Sequence, residues 1–481
     1  MRKLLLVPVV AVICAGCALG PDYRRPDVEA PPAWRVEAQD AQDVADTLWW
    51  GRFGDPALDG LIAAALMENR DLGIAAARVS EYEGRLMVTR ADLLPSVDAS
   101  YQAGKSRISE HGSSRLSSVV ANPFHQYQAG FGASWELDIW GRYRRADEAA
   151  LADLLAAEET RRGVILSLCA SVATGYVNLL DLDNQLLIAR RTAENTKKTV
   201  DLFEVRSKGG VVSDLEISQV KSQYALTLTR IPAIEKLIAQ QENALSFLLG
   251  RNPGPIARGK TIDGLALPPV PQGLPSDLLE RRPDIRQAEQ SLVAANARIG
   301  EARSLYFPSI SLTGAYGWSS THLSDLLKTP ARVWSWGGGI TAPIFEGGAI
   351  RGQNRVAEAV RQEVLLAYLK SVQNAFREVN DSLMSQKFSR AQLEAQKMQV
   401  DALRDYAHIA RTRFDNGYTS YIEVLDAESS LFEAELSHSR TQAMLFMDLV
   451  NLYKSMGGGW VDRADRLMVD QDGRDGRKGP D

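Results

Sequence analysis

The chain has 481 residues, 45% of them hydrophobic and 24% charged, a composition that excludes a disordered, collagen-like or multi-span helical membrane chain. Its 55 basic residues are outnumbered by 60 acidic ones, and a net charge of -5 offers no overall basic field to hold nucleic acid. Of its 3 cysteines, Cys14 and Cys17 lie at the start, so removal of that start leaves Cys169 without an intramolecular disulfide partner.

Arg2 and Lys3 precede an apolar run from Leu4 to Cys14, too short to span a membrane and of the length of a signal-peptide core, which makes residues 1–16 an export signal. The run ends in Cys14-Ala15-Gly16-Cys17, which resembles the bacterial lipobox with Cys14 at the place usually held by Leu. Cys17 is then the acylated first residue of the mature chain, and residues 17–55 form a lipidated N-terminal arm. Each buried methylene of an acyl chain contributes ~0.8 kcal/mol, so two or three chains hold a protein on a membrane surface.

Residues 56–250 form the first of two repeats. Val97, Ala99, Tyr101 and Ala103 alternate with Ser96, Asp98, Ser100 and Gln102. From Tyr127 to Ile139 the odd positions hold Tyr127, Ala129, Phe131, Ala133, Trp135, Leu137 and Ile139, against polar residues and glycines at the even ones. Period two predicts strands at about 96–107 and 127–140. Tyr143 to Lys208 has no proline and is rich in Ala, Leu, Glu, Gln and Arg, a helix of about 100 Å at 1.5 Å per residue. A turn at Gly209-Gly210 leads into a returning helix from Asp214 to Gly250, interrupted by Pro232, and the pair is a coiled coil over 143–250.

Prolines 253, 255, 268, 269, 271 and 275 mark 251–282 as a connector. The second repeat, 283–457, has strands at about 309–320 and 335–345 and a coiled coil over 351–457, with a turn at Asn416-Gly417 and a helix from Tyr421 to Gly457. Ser213 and Ser420 are placed to cap the two returning helices. Residues 458–481 are a polar tail. Arg206, Gly210, Ser213, Glu216 and Ser222 recur 207 residues later as Arg413, Gly417, Ser420, Glu423 and Ser429. Leu94-Pro95-Ser96 recurs 213 residues later as Phe307-Pro308-Ser309, so the first repeat holds a loop six residues longer.

Segments of about ten residues with one apolar and one polar face fit a transmembrane barrel with a wet interior, with two half-buried hairpins of a soluble sheet as the alternative. Trp135, Trp140, Trp318, Trp334 and Trp336 would supply an interfacial girdle. Four strands cannot close a barrel in lipid, so chains must share one: three give twelve strands and two give eight.

The chain resembles a TolC-like outer-membrane factor of the lipoprotein NodT/OprM type, the exit duct of tripartite efflux pumps. The residues that carry this run in order from Cys17-Ala18-Leu19-Gly20-Pro21-Asp22-Tyr23 through Trp49-Trp50, Asp55-Pro56 and Trp135-Glu136-Leu137-Asp138. Arg282-Pro283-Asp284-Ile285, Ala342-Pro343-Ile344-Phe345 and Leu425-Asp426-Ala427 complete them. The resemblance implies a mostly α fold with transmembrane β: a homotrimer with a shared twelve-stranded β-barrel in the outer membrane and a long antiparallel α-helical coiled-coil barrel in the periplasm. It implies a periplasmic adaptor and an inner-membrane pump as partners, outer-membrane lipid around the barrel, no cofactor and no nucleic acid. It also implies a gate at the periplasmic helix tips, with Asp426 as the gate aspartate, Ile422 as the apolar gate residue, and Arg413 and Tyr421 beside them. Asp415 and Ser429 stand where relatives have arginines, so a latch here uses other partners. Gly210, Val211, Ser213, Gly417, Thr419 and Ser420 are the candidate adaptor contact.

His111, His125, His322, His408 and His438 are scattered without a metal-binding spacing, and no Walker loop or serine elbow is present, so an enzyme is not expected. The expected function is an outer-membrane channel exporting small molecules such as drugs. A type I secretion duct for proteins and a lipid-anchored coiled-coil scaffold without a pore are the alternatives.

Overall fold

The computed structural model describes residues 18–28, 31, 33–35, 48–109, 122–270, 275–457 and 461. The predicted signal peptide, Cys17 and all of the predicted tail except Val461 lie outside them. Helices α1 (Pro56–Glu68) and α2 (Arg70–Ala91) precede strands β1 (Ser96–Ser106) and β2 (Phe124–Glu136), followed by α3 (Arg142–Lys208) and α4 (Asp214–Leu248). A single turn at Leu278–Arg281 then leads to α5 (Pro283–Ser304), β3 (Ser309–Ser320), β4 (Arg332–Thr341), α6 (Ala349–Asp415) and α7 (Tyr421–Ser455).

The repeat is written into the element ends. Helices α2 and α5 lie 213 residues apart at both ends, while α3 and α6, and α4 and α7, lie 207 apart at both ends. The six residues fall between the strands, where 107–123 joins β1 to β2 and the shorter 321–331 joins β3 to β4.

Some predicted bounds shift for local reasons. The second strand covers 124–136 instead of about 127–140, because Asp138 turns back to accept from the backbone N–H groups of Tyr143 (3.1 Å) and Arg144 (3.0 Å), opening α3. The fourth covers 332–341 instead of about 335–345, since Pro343 has no N–H to give a ladder. Helices α4 and α7 end two residues before Gly250 and Gly457. Helix α4 continues through Pro232 uninterrupted; the carbonyl that proline leaves without a donor belongs to Leu228, a residue exposed to solvent.

Two compact units divide the chain. The first comprises Met1–Asp27, Arg78–Ala157 and Gln287–Tyr368 and contains the sheet, an antiparallel meander in the order β1-β2-β3-β4. Its register puts Ala99, Phe131, Tyr316 and Trp334 in one row across four strands, and Asp98, Gly132, Ala315 and Ser335 in the adjacent row on the other face. One face is therefore aromatic and aliphatic and exposed, with Phe131, Tyr316, Trp334, Trp336 and Ile340 on it; the other is built mostly of Ser, Gly, Gln and Thr, with Asp98, Glu136, Ala315 and Val333 among them. On the polar face Gly130 opposes Gly317. A Cβ on Gly130 would lie 2.8 Å from the Tyr316 carbonyl oxygen and 2.9 Å from the Gly317 Cα, so only glycine permits this backbone approach. In the same unit Ala149 and Ala152 of α3 pack on Ala294 and Ala297 of α5, small residues that let the helices come close.

The second unit comprises Val28–Ala77, Glu158–Arg286 and Leu369–Asp481. Trp49 stacks on Tyr453 at 5.3 Å between ring centroids, and Phe53 packs on Phe446 at 5.8 Å. Asp55, fully buried, accepts from the Ala57 N–H (3.0 Å), the Tyr176 hydroxyl (2.7 Å) and the Lys260 N–H (3.0 Å), fixing α1, α3 and the connector together. One stretch of α3 is long and apolar enough to cross a membrane, but Ile165, Val172, Tyr176, Val177 and Leu179 along it are buried in the helical packing. The returning helices end alike: Gly250 and Gly457 have φ of 69° and 82°. Asn69 donates to the Leu248 carbonyl (2.8 Å), and Arg282, at the equivalent place, donates to the Ser455 carbonyl (2.9 Å).

Gly130→Ala should destabilise the sheet by about 1–3 kcal/mol through overpacking, whereas Gly132→Ala, whose Cβ would meet nothing within 4 Å, should be neutral. Thermal unfolding of the two variants in detergent checks the contrast; equal melting temperatures would contradict the close approach.

Candidate functional site

The sequence directs attention to the ends of the helical hairpins. Both long helices stop in the same way. The Val211 N–H returns to the Arg206 carbonyl (3.0 Å), and the Tyr418 N–H returns to the Arg413 carbonyl (2.9 Å), with Gly210 and Gly417 at φ of 72° and 76° in the left-handed region. The repeated Arg-x-x-x-Gly spacing thus encodes a backbone closure.

The starts of the returning helices differ. Ser213 and Glu216 form a reciprocal capping box, the Ser213 N–H donating to the Glu216 carboxylate at 2.9 Å. Ser420 has the extended backbone of a cap, yet its hydroxyl makes no capping bond, contrary to expectation; the Glu423 N–H bonds instead to the Ser420 carbonyl at 3.3 Å.

Beneath the turns lies a packed cluster of Val200 and Phe203 from α3, Val220 from α4, Ala410 from α6, and Tyr421, Val424 and Ala427 from α7. Tyr421 is only 1% exposed, its ring 4.5 Å from that of Phe203 and 5.1 Å from that of Phe414. Tyr421, expected beside the gate, packs between the hairpins and holds them together from within. Ile422 and Asp426, one turn apart, are both exposed on the opposite face, Ile422 by 54%. Of the candidate adaptor contacts, Gly210, Val211, Ser213, Gly417 and Ser420 are exposed, whereas Thr419 is half-buried with no hydrogen-bond partner for its hydroxyl.

The resemblance sets Arg413 beside the gate, where an ion pair would latch the tip. Within this chain Arg411, two residues earlier, makes it: its guanidinium lies 3.7 Å from both Asp415 and Glu428 and donates to the Thr199 hydroxyl at 3.2 Å. Arg413 is exposed and forms no ion pair among the described residues. Burial raises the Glu428 carboxyl above its ordinary value, with Arg411 opposing the shift. Burial, then the Glu428 charge, pushes the Tyr421 phenol up to about 12. Helical periodicity alone does not reveal Glu428 or Arg411, because neither belongs to the repeated motif.

The second candidate position, Cys17, lies outside the described residues, but the chain directly after it is firmly held. The Leu19 N–H donates to the Trp140 carbonyl (3.1 Å), and Arg145 donates to the Leu19 carbonyl (3.1 Å) and to Asp22 (2.8 Å). Asn296 donates to the Pro21 carbonyl (2.8 Å), and Tyr23 and Arg25 both reach Glu289. The Gly-Pro-Asp-Tyr run after Cys17 is therefore a strap over α3 and α5.

A carboxyl with a raised folded-state value favours the folded tip when protonated. The stability it supplies is full below the ordinary carboxylate range and is lost as pH rises through the raised value. Glu428→Gln should accordingly be more stable than the natural protein at neutral pH, by less than about 1 kcal/mol for so partly exposed a pair, and equal to it in acid. Melting temperatures of both across that range test this.

The sequence profile of the outer membrane efflux protein family matches residues 61–251 and 274–458, once in each repeat. The solvent efflux pump outer membrane protein SrpC of Pseudomonas putida is 36% identical over 472 residues, covering 95% of this chain and 99% of that protein. The cation efflux system protein CusC of Escherichia coli O6:H1 is 34% identical over 462 residues, covering 95% of this chain and 98% of that protein. Among solved structures, the open state of the MtrE outer membrane channel of Neisseria gonorrhoeae superimposes with a TM-score of 0.83 at 30% identity, over 92% of this chain and 99% of that one. With one match to each half of its internal repeat and the TolC-like fold of these channels, the chain belongs to the outer membrane efflux protein family.

Proposed function

We propose that the chain works as a homotrimer in which three four-stranded sheets close one twelve-stranded barrel, the exit duct of a tripartite efflux system. The observation that carries this reading is the sheet. It has two open edges, one exposed aromatic face and one face of small polar residues, which suits lipid outside and water inside. Two chains would supply eight strands, whose interior side chains fill, whereas twelve leave a passage. A coiled-coil scaffold without a pore has no use for Trp334 and Trp336 exposed on one strand face.

The helical unit extends into the periplasm and meets a periplasmic adaptor and an inner-membrane pump through Gly210, Val211, Ser213, Gly417, Thr419 and Ser420. Ile422 and Asp426 form the closed constriction. Their support is the exposed stripe that the chain's own packing leaves uncovered, with an apolar and an acidic residue one turn apart. Three aspartates around one axis repel, so the ring favours cations. Acylated Cys17 anchors each chain to the outer membrane. Relatives similar over nearly the whole chain are named for solvents and for cations, which supports export of small molecules with the pump choosing among them.

Trimer mass in detergent and small, cation-preferring currents in a planar bilayer are expected. A monomer that stays soluble without detergent would refute the duct. Ile422→Ser combined with Asp426→Ala should raise single-channel conductance several-fold, and unchanged conductance in a trimeric channel would remove the gate from these residues.

A further inference from the structure

Where the sheet passes into the helices, the first unit contains a cleft of about 580 Å³ bounded by the end of β2, the start of β3, the end of β4, the start of α3 and the end of α5. Its apolar wall consists of Trp140, Phe307, Pro308, Pro343, Ile344 and Phe345. The Trp140 and Phe307 rings pack at 4.8 Å, and the Trp140 indole N–H donates to the Pro308 carbonyl at 2.8 Å, so this wall is rigid. Ile344 is 98% exposed and Phe345 89%, two adjacent large apolar side chains with no cover from the other described residues.

The strap brings the end of the described chain to this wall. The Leu19 N–H is bonded to the carbonyl of Trp140, and a Cβ on Gly141 would lie 2.7 Å from the Ala18 Cα. Trp140 and Arg142, the two neighbours of Gly141, both line the cleft. Cys17 is the next residue toward the N-terminus from Ala18, and consecutive Cα atoms stand about 3.8 Å apart.

We propose that the cleft receives the lipid carried by Cys17: an acyl chain lies against Phe307, Ile344 and Phe345, and Arg142 meets the glyceryl esters. The proposal rests on the acylation of Cys17 stated above. Ester carbonyls only accept hydrogen bonds, and the wall has donors to offer. Two of the three acids there are engaged: Glu136 accepts from Arg142 (3.3 Å) and Tyr143 (3.0 Å), and Asp138 caps α3, while Glu346 is exposed to solvent. Arg142 spends one terminal nitrogen on Glu136 and Tyr143, leaving its Nε and other terminal nitrogen with no bond among the described residues. A neighbouring phospholipid has the same chemistry, but only the Cys17 lipid is tethered at this place by the strap.

The test uses the full-length protein from cells fed a palmitate analogue bearing a photoactivatable diazirine. Intact mass first reports whether Cys17 is acylated. After irradiation, peptides holding Trp140, Phe307 or Ile344-Phe345 should carry crosslinks to the Cys17 lipid. The yield should fall several-fold in Ile344→Ser combined with Phe345→Ser and persist in Phe345→Leu, with trimer mass verifying the fold of both. An acylated Cys17 whose crosslinks fall only on strand residues such as Phe131, or only on bulk lipid, would overturn the seat while leaving the anchor intact. An unmodified Cys17 would overturn the anchor and the seat together.

Discussion

Backbone N–H and C=O groups left unpaired in hydrocarbon cost several kcal/mol each, about the whole net stability of a small domain for every two or three of them. A four-stranded meander from β1 to β4 has two such edges, and no other described strand of the chain is available to cover them. In the proposed barrel, the remaining features of the sheet follow from satisfying this constraint between membrane and water. One face carries rings and branched side chains for lipid; the other carries residues small enough to leave space, down to a pair of opposed glycines whose backbones meet directly. Proteins without a membrane to face hide such aromatic rows inside, as the helical unit does with Trp49, Phe53, Phe446 and Tyr453.

The helical part answers a different requirement, that long helices should end in register without fraying. Each returning helix ends against the segment that precedes the other helices of its repeat. There a left-handed glycine clears the way, and a side chain from that segment reaches a terminal carbonyl. Asparagine does this in the first repeat and arginine in the second, where the guanidinium also binds Asp284 and Glu378. The structural role recurs at a fixed offset although the residue does not, so comparison of letters passes over it.

Much of the architecture was legible in the sequence because it is periodic or punctuated. Period two located the four strands, proline-free runs located the long helices, and glycine spacing located the turns to within a few residues. The bounds that moved did so through side chains acting on backbone at short range: Asp138 ended one strand by opening a helix, and Ser420 failed to cap because a backbone carbonyl took the donor first. Helices α1, α2 and α5 are far shorter than the paired long helices, and no proline-free run of unusual length marks them out in the sequence. At the tips, Ile422 and Asp426 stand on one face as their spacing of four requires. Tyr421 turns inward because it is one residue, and about 100° of helix, away from Ile422. Arg411 and Glu428 were hidden because their meeting depends on how α6 packs on α7, which no single-helix pattern contains.

The two hairpin tips share a backbone closure and differ at the start of the returning helix, where Ser213 and Glu216 lock one and nothing comparable locks the other. The two starts are therefore fastened by different means, α4 by a cap that water can reach and α7 by rings that water cannot. Solvent conditions that weaken surface hydrogen bonds act on the first tip, and those that weaken apolar packing act on the second.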